Sequence, residues 1–505
     1  LDHIQINIVM LKILGIVVLV IYVTALVYIT IYCLLQLHLL YYYKRSHWRK
    51  LLPSNRAMDM NNDIPFVTIQ LPIFNERYVV KRLIDNIVKL QYPKDKLEIH
   101  VLDDSTDDTV DISRDKVNEY KAKGFNIELF TRTDRKGYKA GALKEATTKA
   151  NGEFIAIFDA DFMPKSDFLI RTIEHFKNPK VGVVQTKWEH INQGYSLLTE
   201  LQAFQLNVHF TIEQFGRKAG NLMLQFNGTG GVWRKECIEQ SGGWEADTLT
   251  EDLDLSYRAQ LKGWEIVFLE GVLAPAELPA EINGLKSQQY RWMKGGAETA
   301  RKMLPTVWRS NLNLTQKIHA TSHLLASSVF LSVFIVGVFS VPLIFILNPL
   351  GIQNQIFPFF LSGLLSIVFV YYAANVQHTW TEESGPKKIV KFVLLFPIFL
   401  ALSMGLSLHN SLAVIQGYIG KKTPFVRTPK FGIKTISDTL NNKNYLTKKL
   451  PFTTILEGLF AIYFIVAIFL GIQSQQWTFF LLHILLAIGY STIFYLSVKH
   501  LNYAE

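Results

Sequence analysis

Cysteine is almost missing from this sequence: 505 residues contain two, Cys33 and Cys237. One falls in an apolar run and the other in a charged segment, so a disulfide framework is excluded, and no Cys/His spacing suits a bound metal. No Walker sequence is present, nor a serine or cysteine nucleophile with its partners, which leaves phosphoryl and acyl transfer without support. Charge is also sparse, with 19% of residues charged against 49% apolar. The net charge of +10 would suit a nucleic-acid ligand, but the basic residues gather beside apolar runs instead. No nucleic-acid partner is expected.

Apolar runs occupy Ile8–Cys33, Ser328–Leu347, Phe357–Val376, Phe392–Leu408, Ile455–Ile472 and Phe479–Val498. The first exceeds the roughly 20 residues a helix needs to cross a bilayer and lacks a small-residue cleavage site, so it reads as a retained anchor. Lys44, Arg45, Arg49 and Lys50 follow it, and Lys421–Leu450 holds eight Lys or Arg against the single acid Asp438. Basic loops stay cytoplasmic. Five spans satisfy that rule and six do not. Phe392–Gly417, with Pro397 and the polar Ser407–Ser411, is therefore expected to lie in, or re-enter from, the cytoplasmic interface. The predicted division is a transmembrane helix over 1–43, a cytoplasmic domain over 44–317, and an interfacial segment with two transmembrane helices over 318–376. An interfacial helix and loop over 377–450 and a transmembrane hairpin over 451–505 complete it. An integral membrane protein in contact with lipid is expected, with its domain in the cytoplasm.

Within 44–317 short β-branched runs alternate with amphipathic stretches. Strands are predicted over Phe66–Phe74, Leu97–Leu102, Asn126–Thr131, Phe154–Phe158 and Val181–Thr186, and helices over Val79–Leu90, Thr109–Lys123, Ala140–Lys149 and Asp167–Phe176. This rhythm implies βαβ units and a Rossmann-like, mostly parallel sheet, an α/β domain inserted between transmembrane helices. Such sheets bind ligands beyond the carboxyl ends of their strands. The residues there are Asn75 and Glu76, then Asp103 and Asp104, then Arg132, Arg135 and Lys139, then Asp159 and Asp161.

Asp159 and Asp161 flank a small residue after a strongly apolar strand, a placement that suits Mg²⁺ or Mn²⁺ bridging a diphosphate. Asp103 and Asp104 read either as acceptors for a base or ribose or as a helix cap. Arg135 and Lys139 offer cations to a diphosphate, or are surface charge. Thr250-Glu251-Asp252 precedes a helical stretch; capping and general-base catalysis explain it equally well. Gln288, Arg291 and Trp292 share one helix face, where Arg291 offsets charge on a departing diphosphate and Trp292 offers a platform for a sugar ring.

Read in order, Asp103/Asp104, Asp159-x-Asp161, Thr250-Glu251-Asp252 and Gln288-x-x-Arg291-Trp292 resemble the D, DxD, TED and QxxRW series of processive family 2 glycosyltransferases. The similarity covers about residues 66–300 and extends to Val184-Gln185-Thr186, Phe226-Asn227-Gly228-Thr229 and Lys139-Ala140-Gly141. It is nearest to the cellulose-synthase-like A and C groups of plants and their bacterial relatives. The resemblance implies a GT-A type fold and a nucleotide-sugar-dependent hexosyltransferase that inverts its donor. Asn75, Glu76, Asp103, Asp104, Arg135, Lys139, Asp159 and Gln185 are then expected at the donor, with Asp159 and Asp161 at the metal. Asp252 would be the base beside Glu251, while Gln288, Arg291 and Trp292 close the site. Asn227, Gly228, Thr229 and Trp292 would meet the acceptor.

The family's F-x-V-T-x-K gating loop is matched by Phe425-Val426-Arg427-Thr428-Pro429-Lys430 except at Arg427. Thr428 and Lys430 are expected at the diphosphate. UDP-glucose and GDP-mannose both fit as donors, and a bacterial inner or plasma membrane is the expected location. A polymerase that extends and translocates a β-linked glucan or mannan is the leading reading, and single addition to a lipid acceptor the alternative.

Overall fold

The structure is a computed structural model that describes residues 2–48, 64–347, 360–377, 385–440 and 450–501, with positions 58, 351, 443, 445 and 446 between them. Arg49 and Lys50, residues 357–359 of the third apolar run and parts of Lys421–Leu450 lie outside the described residues.

A seven-stranded sheet forms the centre of the inserted domain: β1 (Val67–Ile73), β2 (Leu97–Asp103), β3 (Ile127–Phe130), β4 (Phe154–Ile157), β5 (Val181–His190), β6 (Gly231–Arg234) and β7 (Glu265–Ala276). Their order is β3-β2-β1-β4-β6-β5-β7. All neighbours pair in parallel except β6, which runs antiparallel to both β4 and β5. The five predicted strands and four predicted helices are present with small shifts at their ends; β6 and β7 extend the sheet beyond them.

β4 is a continuous apolar run, and β1 and β2 are buried almost throughout, Gln70, Glu98 and His100 included, because both faces of the sheet are covered. One face buries Ile69, Leu71 and Val101 against Leu83, Ile87, Phe168 and Leu169; the other buries Ile155 and Ile157 against Leu143, Phe210, Phe215 and Trp233. Register sets the functional edge. Ile73 stands opposite Asp103, and Gln70 opposite Ile157, so the segments leaving β1, β2 and β4 emerge side by side.

Among the described residues, five helices are long and apolar enough to cross a membrane by length and composition: Lys12–Trp48, Ser328–Ile346, Gly385–Gly405, Phe452–Gln473 and Trp477–Lys499. The expected span Phe357–Val376 is represented by a shorter α-helix, Leu361–Tyr372, that continues as a π turn over Ala373–Gln377. The expected interfacial element Phe392–Gly417 is two helices, Gly385–Gly405 and Ser407–Tyr418. Its outer ends both reach the inserted domain. Lys391 pairs with Glu200 at 2.6 Å, and a Cβ on Gly417 would stand 2.6 Å from the Lys294 carbonyl oxygen. At the turn, a Cβ on Gly405 would fall 2.4 Å from the Gly489 backbone, within the helix Phe480–Lys499. Only glycine at both positions permits that approach.

The helix Ile282–Arg309 joins the domain to the apolar bundle. Buried Lys286 donates to Glu457 at 2.6 Å and to Ser497 at 2.8 Å, and the Ile282 N–H donates to His500 Nδ1 at 3.0 Å. These bonds fix the helix against both C-terminal apolar helices.

Candidate active site

A cavity of about 220 Å³ opens at the carboxyl edge of the sheet. It gathers Glu76 from the end of β1, Asp104 from β2, Arg135 and Lys139 from the segment after β3, and Asp159 and Asp161 from β4. Asn227, Gly228, Glu251, Asp252, Gln288, Arg291 and Trp292 form the facing wall, and Thr428 and Lys430 close it. These groups are far apart in sequence, yet they line one space.

The two acids of the DxD each carry an ammonium group. Lys139 Nζ donates to Asp159 Oδ1 at 2.6 Å and to the Gly228 carbonyl at 2.9 Å. Lys430 Nζ donates to Asp161 Oδ2 at 2.7 Å and to the Glu277 carbonyl at 2.9 Å. Burial works to discharge both lysines, but Asp159 and Asp161 hold their pKa values above the ordinary one. Glu76 lies nearby with Oε2 buried and without a hydrogen bond among the described residues. Burial pushes its carboxyl up to about 8, although Arg427 Nη1 stands 3.2 Å from Oε1. Two carboxylates at one strand end supply the hard oxygens that Mg²⁺ or Mn²⁺ takes, and a cation there would compete with the ammonium on each. A second group of carboxylates, Glu245, Asp247 and Asp254, converges elsewhere. Lys302 already fills it, at 2.6, 2.9 and 3.0 Å from the three.

Asp252 stands in the first turn of the helix Glu251–Leu261. Burial, and then the Glu251 charge beside it, push its carboxyl up to about 7. Gly228 has φ +78°, and a Cβ there would lie 3.0 Å from Asp252 Oδ2. Glycine therefore supplies both the left-handed turn and the space for the carboxylate. Gly295, inside the helix Ile282–Arg309, supplies space alone: a Cβ there would fall 2.6 Å from Thr250. That close approach brings Gln288, Arg291 and Trp292 into the cavity that Asp252 lines.

The loop after Tyr418 folds across this wall. Thr428 Oγ1 accepts from Arg291 Nη2 at 2.7 Å, and Phe425 stacks on Tyr138 at 5.3 Å. Arg427, the residue that departs from the gating motif, lies 3.9 Å over the Tyr445 ring, whose hydroxyl donates to Asp107.

Four predicted residues stand behind the lining. Asp103 points away from the cavity and accepts from the Ser105 N–H at 2.9 Å and from Ser113 at 2.6 Å. Asn75, at φ 55°, clamps the Ser105–Thr106 turn. Gln185 is fully buried, and its Oε1 accepts from the Asn227 N–H at 2.8 Å. Thr229 Oγ1 accepts from the Asp159 N–H at 2.8 Å. All four shape the turns that carry the lining residues.

Conversely, Trp188, His190, Leu206 and Glu277 line the cavity without having been singled out in the sequence. His190 has both ring nitrogens buried without partners among the described residues, and burial lowers its pKa to about 3. The signal available was the one used for the other strands: His190 ends β5 and Glu277 follows β7.

Residues 65–295 match the family described as "Glycosyltransferase like family 2". A probable glucomannan 4-beta-mannosyltransferase 2 of Oryza sativa subsp. japonica is 35% identical over 377 residues, 73% of this chain and 63% of that protein. Glucomannan 4-beta-mannosyltransferase 9 of Arabidopsis thaliana is 41% identical over 265 residues, 51% of this chain and 50% of that protein. The chain thus spans between half and under two thirds of the length of these curated relatives. Among solved structures, the mannosyltransferase PcManGT of Pyrobaculum calidifontis, in complex with GDP-Man and Mn²⁺, has a TM-score of 0.50 at 19% identity. The similarity covers 82% of this chain and 100% of that one, and supports a shared fold. Residues 65–295 are a family 2 glycosyltransferase domain of GT-A type fold.

Proposed function

We propose that the protein builds a β-linked mannan from GDP-mannose at a membrane surface, by one in-line displacement that inverts the anomeric carbon. The observation that carries this reading is the cavity that brings Asp252, a buried carboxyl raised above its ordinary pKa by burial and by Glu251, together with Asp159, Asp161 and Arg291. A base poised near neutrality takes the proton of an acceptor hydroxyl as that oxygen attacks the sugar. The cavity offers this base and no activated serine or cysteine, which favours direct displacement over a covalent intermediate.

Asp104 accepts from the base or ribose of the nucleotide in this reading, Arg135 and Lys139 offer cations to its diphosphate, and Asp159 and Asp161 would hold Mg²⁺ or Mn²⁺. The cation would supply positive charge to the departing diphosphate. Arg291 adds fixed charge from the opposite wall, and Trp292 gives the acceptor ring a flat apolar face. The names of the plant relatives favour mannose over glucose, and the Pyrobaculum protein's GDP-Man and Mn²⁺ point the same way. Those relatives lend no support to the bacterial membrane expected from the sequence.

The apolar helices support an integral membrane enzyme. We place the inserted domain in the cytoplasm on the positive-inside pattern. Because both outer ends of the Gly385–Tyr418 pair meet that domain, we read the pair as re-entrant. The basic loop after it then stays on the catalytic side, and the growing chain is threaded outward through the bundle.

Product analysis tests this reading. Purified protein given GDP-mannose and mannotetraose should lengthen the oligosaccharide with β anomeric signals by NMR, and Asp252→Asn should abolish the growth. An α-linked product would contradict single displacement.

A further inference from the structure

The helix beginning at Leu197 passes through a π turn, His209–Gln214, before resuming at Phe215. π turns are uncommon and frequently mark functional sites. This one carries His209 and Glu213 beneath the segment that holds Asn227. His209 Nδ1 is 2.8 Å from Glu213 Oε2, and His209 Nε2 is 2.8 Å from Asn227 Oδ1. Both contacts are to oxygen, the kind of partner a ring N–H takes. Burial opposes the Glu213 charge, but the His209 hydrogen bond and Arg217 hold that carboxyl below its ordinary pKa.

A second chain of bonds reaches the same oxygen from the other side. Tyr257 Oη lies 2.9 Å from His323 Nδ1, and His323 Nε2 lies 2.8 Å from Gln225 Oε1. Gln225 Nε2 donates to Asn227 Oδ1 at 2.8 Å. Burial keeps His323 far below its ordinary pKa and hence neutral, so one ring nitrogen accepts and the other donates. Every bond then runs in one direction, from the Tyr257 hydroxyl to the Asn227 oxygen. Asn227 Oδ1 accepts twice, while its Nδ2 has no hydrogen-bond partner among the described residues.

Asn227 lines the cavity beside Gly228, the residue against Asp252 Oδ2. The buried Asn227 NH₂, without a partner among the described residues, is a hydrogen-bond donor in a residue that lines the cavity next to the base. We propose that His209 and Glu213 are positioning residues that lock the Asn227 amide with its NH₂ toward the acceptor sugar, setting acceptor affinity without touching it. The proposal rests on the reading of the cavity as a glycan-acceptor site.

The test uses the intact detergent-purified protein and mannotetraose as the probe, with binding followed by calorimetry and KM measured for mannotetraose and for GDP-mannose. His209→Phe keeps a ring and removes both nitrogens that contact Glu213 and Asn227. It should weaken mannotetraose about tenfold, leaving kcat and the GDP-mannose KM near wild type. Asn227→Ala should lose about as much, and the double variant little more, because one interaction is removed in each. His209→Gln, which can still donate to Asn227, should recover part of the affinity. If His209→Phe does not fold, the near-isosteric Glu213→Gln carries the same comparison.

Full additivity of the His209 and Asn227 losses would overturn the proposal, as would donor and acceptor constants rising together. A wild-type protein that binds mannotetraose but transfers nothing from GDP-mannose would sink the proposed reaction, while the binding series still decides the relay. Failure of wild type to bind either mannotetraose or cellotetraose would overturn the acceptor site itself.

Discussion

Lys430 lies 2.7 Å from Asp161, a carboxylate 269 positions earlier in the chain. With Lys139 on Asp159, it places an ammonium on each acid of the pair read as the metal site. Lys430 holds Asp161 Oδ2, so a divalent cation that takes this oxygen, or both oxygens of Asp161, displaces the ammonium. The loop that carries it is thereby tied to the state of the site.

Lys430→Met should therefore bind Mn²⁺ more tightly, by about three- to tenfold, because a competing cation is gone. Turnover should fall by at least about tenfold, since the loop no longer brings charge to the diphosphate. Mn²⁺ titration by electron paramagnetic resonance, alongside transfer rates, checks both. Unchanged Mn²⁺ affinity would dissociate the loop from the metal.

The Asp252 carboxyl gives a pH dependence with a defined sign. A base works ionised, so kcat/KM should rise through an inflection near pH 7. Asp252→Asn should cost about 10²- to 10⁴-fold. Stability runs the other way. Because the folded pKa, about 7, exceeds the ordinary 3.8, the folded state holds a proton that the unfolded chain releases between those values. Stability from this group therefore falls as pH rises across that window and levels off above it. Asp252→Asn should melt above the parent at pH 8, with the gap closing near pH 4. A gap that widens on acidification would contradict the burial of this carboxyl.

Lys286 and Glu457 form a buried pair between the helix of the QxxRW motif and an apolar C-terminal helix. Glu457→Ala leaves the lysine unpaired and should cost about 3–5 kcal/mol, whereas a Lys286→Met/Glu457→Leu double replacement should recover most of that. Thermal melts in detergent distinguish the two. Equal losses would mean that packing, rather than the unpaired charge, sets the cost.

Arg427 takes the position where the resembled gating loop has valine. Its guanidinium covers the Tyr445 ring and approaches Glu76, so it reaches across the loop as valine cannot. Arg427→Val should expose the 423–433 backbone to faster hydrogen exchange and raise the donor KM about three- to tenfold. Unaltered exchange would mean that Thr428 and Lys430 hold the loop unaided.

The acids of the site were legible because they follow short, β-branched strands buried on both faces, β4 being apolar throughout, and such strands announce their ends. Adjacent residues were harder to separate. Asp103 and Asp104 leave the same strand, but successive side chains point to opposite faces, so Asp104 reaches the cavity and Asp103 the core. β6 and β7 escaped because they lack a clean period. β6 is four residues among glycines, and β7 is interrupted by Glu270 and Gly271 and takes its shape from pairing with β5. With β7 went Glu277. Thr428 and Lys430 could be assigned only by resemblance, since no local pattern says that a loop near residue 430 folds back onto β4. The π turn left no period to read.

The measurement that bears most directly on the account is polymer synthesis by the purified protein with Mn²⁺, given radiolabelled GDP-mannose or UDP-glucose separately and no lipid acceptor. The account predicts a long product from GDP-mannose that a β-1,4-mannanase degrades. Label that appears only when lipid is added, one sugar per acceptor, would contradict it.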